Sequence, residues 1–329
     1  MSQLIVADIG GTHARFGVAS FAADGGFVIT HQRAFNCAEF AGFLDCVQSY
    51  MGMLPAVEIN SACFAFAGPV PVAGAADDEI VMTNIHWRIS ISAAKRDLGL
   101  ENLEAINDFA AQACAIPYLE PSQLSVIKPG ISVPNANKSL IGPGTGLGIA
   151  SLIYSDGGWH PVPGEGGHVA FSYPTVLSRD IIDVLNKKFD SVSLETLLSG
   201  GGLINIYQAL AAVSNVAAQD YSSGDITRFG VNQSDPVCTQ TLNLFCELLG
   251  AAAGDLALIN GSKGGIYLAG GILPRIEPFL KSSNFVRLFN SKGKMSKYLD
   301  DIPVFLVNQN NSALFGAAAW FVMHAKKRV

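Results

Sequence analysis

Apolar residues along this chain recur in two rhythms, one with the period of a strand and one with that of a helix. A strand-like stretch comes first. Leu4 to Ile9 and Phe16 to Ala19 are β-prone runs on either side of Gly10-Gly11-Thr12. Such runs joined by a glycine-rich turn predict a hairpin with polar groups at its tip. Two adjacent glycines let backbone N–H groups approach an anion closely, while Thr12 offers a hydroxyl and Asp8 a carboxylate for a cation. The local pattern leaves two readings open, a phosphate cradle or an ordinary edge hairpin.

Further on, His31 to Phe35 reads as a strand and Ala38 to Met51 has apolar residues at helical spacing. Ile59 to Ala67 is an apolar strand ending in Gly68-Pro69-Val70, a rigid turn at a sheet edge. A polar loop, Gly74 to Glu79, leads to a strand over Ile80 to Asn84. Ser90 or Ser92 is suited to cap a helix through Leu98, closed by Gly99. Leu103 to Ile106 runs into Asn107-Asp108 at the head of an alanine-rich helix, and Pro129 to Asn137 reads as a loop between lobes.

A second glycine-rich hairpin spans Ser139 to Leu152 around Gly142-Pro143-Gly144-Thr145-Gly146. Setting Gly11-Thr12 on Gly144-Thr145 aligns strand, turn and strand, so the chain reads as internally duplicated. A capped helix start at Ser193 to Ser199 is expected to end at Gly200-Gly201-Gly202. A long helix with small-residue packing at Gly250 to Gly254 is expected over Pro236 to Ile259. Gly265 to Leu268 begins a buried strand that leads to Gly270-Gly271, Ile302 to Val307 is another, and Asn311 to Lys327 is a final amphipathic helix.

Composition narrows the class. A chain of 329 residues exceeds one typical core, so two domains are expected. A hydrophobic share of 49% and a charged share of 15% describe a globular protein. The net charge of −6 argues against nucleic acid as a partner; the basic run Lys326-Lys327-Arg328 suits the negative end of a last helix instead. No charged-then-apolar leader precedes Leu4, and no window is read as reaching the roughly 20 apolar residues of a membrane span, so a cytoplasmic protein is expected. Cys37, Cys46, Cys63, Cys114, Cys238 and Cys246 form no CxxC pair and read as reduced packing residues. N-x-S/T triplets at Asn137, Asn232, Asn260 and Asn310 have no meaning without a secretory route.

Several candidates carry chemistry. Ser92 and Lys95 match an SxxK pattern, but without its SDN and KTG companions the match reads as chance. Asn107 or Asp108 is an N-cap, or an acid held at the positive end of a helix dipole. A GxGxxG fingerprint fails at Leu147 and Ile149, and no Gly-Lys-Ser/Thr follows a glycine loop. Two Gly-Thr hairpins facing each other across a cleft would instead hold a chain of phosphates from both sides. Glu165 and His168 stand among Gly164, Gly166 and Gly167, a setting unsuited to a helix and suited to close hydrogen bonding of a polar ligand. Locally, Glu195 reads as a first-turn acid.

Together, Asp8-Ile-Gly-Gly-Thr-x-x-Arg15, Ala67-Gly-Pro-Val70, Asn107-Asp108, Gly142-x-Gly-Thr-Gly-x-Gly148, Glu165-x-Gly-His168, Glu195 and Ala269-Gly-Gly-x-x-Pro-Arg275 resemble the bacterial ATP-dependent glucokinases, over essentially the whole chain. The resemblance implies the two-lobed, actin-like (ribonuclease H-like) α/β fold of the hexokinase superfamily, each lobe around a five-stranded mixed sheet, with the active site in the cleft. A small lobe over 1–118, completed by a C-terminal helix over 308–329, and a large lobe over 119–307 are implied. So are ATP, magnesium, glucose as substrate and a homodimer.

By the same resemblance, Asp8 positions magnesium through water and, with Gly10, Gly11 and Thr12, forms a first phosphate loop. Gly144, Thr145 and Gly146 form a second, and Gly270 and Gly271 lie against the adenosine. Asn107, Asp108, Glu165, His168 and Glu195 bind sugar hydroxyls, Asp108 as catalytic base. His13 departs from the family, many of whose members carry Asn there, and the cysteine-rich zinc motif of the related ROK kinases is absent. Other readings are a kinase for another hexose or an N-acetylated amino sugar, a sugar-binding transcription regulator, which would need a helix-turn-helix ahead of Leu4, and a nicotinamide dehydrogenase.

Overall fold

The computed structural model describes residues 3–22, 25–55, 59–71, 78–82, 85–171, 175–309 and 311–325. Its strands are β1 (Gln3–Ile9), β2 (His13–Phe21), β3 (Phe27–Asn36), β4 (Ser61–Phe66), β5 (Glu79–Val81), β6 (Arg88–Ser90), β7 (Asn102–Asn107), β8 (Leu124–Lys128), β9 (Lys138–Pro143), β10 (Leu147–Ser155), β11 (Gly158–Gly164), β12 (Ile266–Leu268) and β13 (Val304–Val307). The chain groups into two compact units: Met1–Leu119 with Ser155–Pro163 and Gln309–Val329, and Glu120–Tyr154 with Gly164–Asn308.

The first unit's sheet has the order β3-β2-β1-β4-β7. β1 and β2 make the expected hairpin, with Asp8 opposite Arg15 and Ile9 opposite Ala14. It is not an edge hairpin, because β4 pairs in parallel with the other side of β1. Leu4 to Ala7 are all buried, as a strand covered on both faces requires, which is why this run is continuously apolar. On one face Phe16 stacks on Tyr50 of the helix Phe43–Gly52 at 4.9 Å and meets the edge of Phe64 at 6.4 Å. The helix Ser312–Ala325 packs on β1, β4 and the helix Asp108–Ala115, so closely that a Cβ on Gly316 would overlap the Ala111 carbonyl oxygen.

Several boundaries move. The helix expected from Ala38 begins at Phe43, after a 3-10 turn over Cys37–Glu39 capped by Asn36. Of the strand expected over Ile80 to Asn84, Ile80 and Val81 lie in β5, which pairs with β6 in a separate ribbon, and Thr83 and Asn84 lie outside the described residues. Most of the loop Gly74 to Glu79, Asn310 and the run Lys326-Lys327-Arg328 lie outside the described residues. Ser90 caps the helix Ile91–Asp97 by accepting the Ala93 N–H at 3.2 Å. Ser92 and Lys95 lie exposed on that helix, as a chance match would.

The second sheet has six strands, in the order β11-β10-β9-β12-β13-β8, one more than expected because β8 adds antiparallel to β13. β9 and β10 form a hairpin, β12 lies parallel to β9, and β13 lies parallel to β12. The hairpin followed by two parallel strands repeats β1, β2, β4 and β7, and bears out the internal duplication. Residues Pro129 to Asn137 do not pass between the units. Ile131 and Val133 donate their N–H groups to Asp301 and Lys263 carbonyls at 2.8 and 3.0 Å, inside the second unit.

The core of this unit is the helix Pro236–Ile259, covered by the helices Gly200–Val213, Ser223–Val231 and Phe285–Asn290. A Cβ on Gly250 or Gly254 would overlap the Phe285 or Phe289 carbonyl oxygen, which explains the small residues. Contrary to expectation, this helix is long and apolar enough to cross a membrane, with mean hydropathy 1.6 over its best window. It is a core helix, since 67% of that window is buried within the protein. Gly200-Gly201-Gly202 starts a helix instead of ending one: Ser199 caps it through the Gly202 N–H, and a Cβ on Gly202 would overlap the Leu197 carbonyl.

Buried polar groups are tied in. Lys128, 3% exposed, donates from Nζ to the carbonyls of Leu299, Asp300 and Ile302 at 3.0, 2.7 and 2.9 Å, and burial lowers its pKa. All six cysteines are free and buried; burial pushes the Cys46 thiol up to about 12. Asn260 donates to Ser151 Oγ at 2.7 Å, a structural role for one of the N-x-S/T positions.

Replacing Gly316 by Ala, which forces backbone apart at the helix crossing, is expected to cost about 3 kcal/mol, at the upper end of overpacking. Gly52→Ala, whose Cβ meets nothing within 4 Å, stays within about 1 kcal/mol of wild type. Urea unfolding of both variants measures the contrast, and equal midpoints would refute it.

Candidate active site

In the first unit Ile9, Phe66 and Asn107 form one row across the parallel strands β1, β4 and β7. The segments leaving that row therefore share the carboxyl-end edge of the sheet, where α/β proteins build sites. They are the turn Gly10–Thr12, the turn Ala67–Val70 and the start of the helix Asp108–Ala115. Gly10 donates its N–H to the His13 carbonyl at 3.0 Å, and a Cβ on Gly10 would lie 3.2 Å from that oxygen. Thr12 and His13 have exposed side chains, so residue 13 shapes the turn through its backbone alone. Cys37, read from the sequence as packing, supports the turn: its N–H reaches the Thr12 carbonyl at 2.9 Å and its Sγ the Gly10 carbonyl at 3.4 Å.

Asp8 lies at the foot of this turn, 18% exposed, with its Oδ2 3.3 Å from Arg15 Nη1. Burial raises the Asp8 carboxyl pKa and the Arg15 charge pulls it back. Asn107 is the N-cap: its Oδ1 accepts the Ala110 N–H at 3.0 Å and its Nδ2 donates to the Gly68 carbonyl at 3.1 Å. Gly68, at φ +131°, thus has a job that its sequence context did not reveal, aiming a carbonyl at the cap. Asp108 is the first helical residue, half-buried, with Oδ1 accepting the Phe109 N–H at 2.9 Å.

The second unit repeats the arrangement, with Ile141, Leu268 and Leu306 forming the row across β9, β12 and β13. Gly144 donates to the Gly146 carbonyl at 2.8 Å, and its own carbonyl accepts the Gly200 N–H at 2.8 Å. Thr145 and Gly271 are exposed beside them. Gly270 admits no other residue, since its φ is +86° and a Cβ would overlap the Pro143 carbonyl oxygen. Glu195 meets the same turn, its Oε2 accepting the Leu147 N–H at 2.9 Å. Its sequence neighbours suggested only a first-turn acid.

Glu165 and His168 bracket a 3-10 turn, both exposed, with the His168 N–H on the Glu165 carbonyl at 3.0 Å. The turn lies flat on β10, where a Cβ on Gly167 would overlap the Leu147 carbonyl oxygen. Beyond it, the Leu194 N–H reaches the Val169 carbonyl at 3.1 Å. Through Leu147 and Val169 the structure brings Glu165, His168, Glu195 and Gly144–Gly146 into one neighbourhood of the second unit, while Asp8, Asn107 and Asp108 share an edge of the first.

These groups suit a nucleotide. Glycine turns of this kind can present backbone N–H groups to phosphate oxygens. Magnesium is typically bound through one or two carboxylates, waters and substrate phosphates. One carboxylate such as Asp8 fits that pattern, and no cluster of three metal-ligating side chains exists among the described residues.

A family model described as glucokinase matches residues 5–324. The glucokinase of Saccharophagus degradans is 41% identical over 320 residues, covering 97% of this chain and 98% of that protein. The chain belongs to the glucokinase family. A glucokinase structure from an Antarctic psychrotroph superposes on this family member with a TM-score of 0.89 at 40% identity, covering 99% of each chain. A ROK family glucokinase from Streptomyces griseus, solved in complex with glucose and AMPPNP, matches with a TM-score of 0.63 at 17% identity, covering 97% of this chain and 99% of its own, and so shares the fold. The fold is the actin-like α/β fold of these sugar kinases, and the chain is a hexose kinase.

For an acid whose folded pKa is raised, the stabilisation is fully present below the unfolded value and is lost as pH rises through the folded one. At neutral pH, charged Asp8 therefore opposes folding of the nucleotide-free protein. Its ion pair with the 42% exposed Arg15 returns little. Asp8→Asn is expected to raise the nucleotide-free Tm at pH 7, with the gain vanishing below about pH 4, and to lower kcat by on the order of 10². Melting curves across pH check the first part, and a Tm lower than wild type at pH 7 would contradict it.

Proposed function

We propose that this chain transfers the γ-phosphoryl group of ATP to the 6-hydroxyl of D-glucose, giving ADP and glucose 6-phosphate. It is an ATP-dependent glucokinase. The observation that carries the reading in detail is the repeated glycine turn at the carboxyl end of parallel strands, with Asp108 at a helix start on the same sheet edge as Asp8. ATP as donor is carried over from the family and agrees with both turns.

In this reading Asp108 accepts the proton of the attacking hydroxyl. Asn107, Glu165, His168 and Glu195 hold the other hydroxyls, so an isomer lacking one leaves a polar group unpaired and is rejected. Gly10, Gly11 and Thr12 receive phosphate oxygens at one turn and Gly144, Thr145 and Gly146 at the other, with Gly270 and Gly271 along the adenosine. Phosphoryl transfer has a loose transition state, so holding donor and acceptor in line supplies most of the acceleration. Magnesium, held through Asp8 by water, neutralises phosphate charge when bound. A cytoplasmic homodimer belongs to the same reading, and a monomer mass in sedimentation would remove the dimer.

ADP release on adding single sugars to the purified protein tests the substrate. Glucose is expected to give the highest kcat/KM among glucose, mannose, fructose and N-acetylglucosamine, and a higher value for any other sugar would reassign it. Asp108→Asn is expected to keep glucose affinity and to lower kcat by on the order of 10². A near-normal kcat would move the base elsewhere.

A further inference from the structure

One contact in the second unit joins a residue read as a sugar ligand to a loop read as a phosphate cradle. Glu195 Oε2 accepts the Leu147 N–H at 2.9 Å, at the root of the turn Gly144–Gly146. A Cβ on Gly146 would lie 2.5 Å from the same oxygen. The other oxygen, Oε1, has no hydrogen bond among the described residues. Glu195 is itself firmly seated. Ser193 and Thr196 form a capping box around it, Ser199 Oγ donates to its carbonyl at 2.9 Å, and Asn205 Nδ2 donates to the Thr196 carbonyl at 2.9 Å. The far side of the turn is tied by Gly200 on the Gly144 carbonyl. One carboxylate oxygen holds the loop while the other is left for a ligand.

We propose that Glu195 is a positioning residue for the nucleotide-phosphate loop as well as a sugar ligand, so that sugar at Oε1 and phosphates at Gly144–Gly146 tighten each other's binding. The proposal rests on the reading of Glu195 as a sugar ligand. A sugar hydroxyl donating to Oε1 stops the carboxylate rotating, and the immobile Oε2 then keeps the Leu147 N–H and the turn behind it in one arrangement. Phosphates that favour that arrangement pay less to order it, and linkage makes the effect mutual.

Calorimetric titration of AMPPNP with magnesium, with and without glucose, tests this on the wild type, Glu195→Gln, Glu195→Asp and Gly146→Ala. In the wild type, glucose is expected to tighten AMPPNP by about fivefold or more. Gln keeps an oxygen for the Leu147 N–H, so Glu195→Gln holds its sugar-free AMPPNP affinity within about twofold while glucose affinity falls. Asp is one methylene too short to reach, so Glu195→Asp loses about tenfold in sugar-free AMPPNP affinity, near the value of a charged hydrogen bond, and loses the coupling. Gly146→Ala pushes Oε2 aside and weakens glucose binding without nucleotide, although residue 146 belongs to the phosphate loop. Wild-type AMPPNP affinity in folded Glu195→Asp, or wild-type glucose affinity in Gly146→Ala, overturns the proposal, and Gly146→Ala decides if Glu195→Asp does not fold. Unchanged glucose affinity in Glu195→Gln refutes the sugar-ligand reading itself, while Glu195→Asp still reports on the loop.

Discussion

Backbone at the carboxyl ends of the parallel strands has to approach its neighbours more closely than a Cβ permits. At Gly270 the neighbour is the Pro143 carbonyl, at Gly146 it is the Glu195 carboxylate, and at Gly167 it is the Leu147 carbonyl. These contacts set the height of each loop above its sheet, and therefore which N–H groups face outward and which are consumed internally. The hairpins place the turns, while the close approaches give them one shape. Each such brace removes part of the conformational entropy that ordering the loop would cost.

The polar groups follow a related logic. Asp8 keeps a carboxylate partly out of water with a half-exposed arginine as its companion, an arrangement that costs folding free energy. Lys128 is more deeply buried but is surrounded by carbonyl oxygens at the end of the short helix Ser296–Leu299. There an ammonium supplies the donors that the helix end lacks. One charge is left available for chemistry and the other is wholly committed to architecture, and what separates them is the partners around each.

Much of this was legible in the residues. The hairpin about Gly10-Gly11-Thr12, its copy about Gly144-Thr145-Gly146, the cap at Asn107 and the long helix from Pro236 all follow from local periodicity and capping chemistry. What was not legible depends on groups distant in the chain. Gly200-Gly201-Gly202 looks like a helix stop until the Leu197 carbonyl is seen where a Cβ would stand. The apolar length of Pro236–Ile259 fits a bilayer or a core equally, and only its neighbouring helices decide. Glu195 looked like a first-turn acid because its partner at Leu147 lies far back in sequence. Asn107 and Gly68 each looked sufficient alone, yet they form one hydrogen-bonded device.

The seat of Gly316 against Ala111 bears on how the chain is made. The first unit receives its covering helix, Ser312–Ala325, from residues that follow every strand of both sheets and so are synthesised after them. Domains fold in turn as they leave the ribosome. The second unit has all of its residues by Asn308 and can close first, while Leu4 and Val6 wait with one side of their strand uncovered. A nascent chain stalled before residue 312 would carry that apolar sheet face in the open, a natural place for a chaperone to hold on.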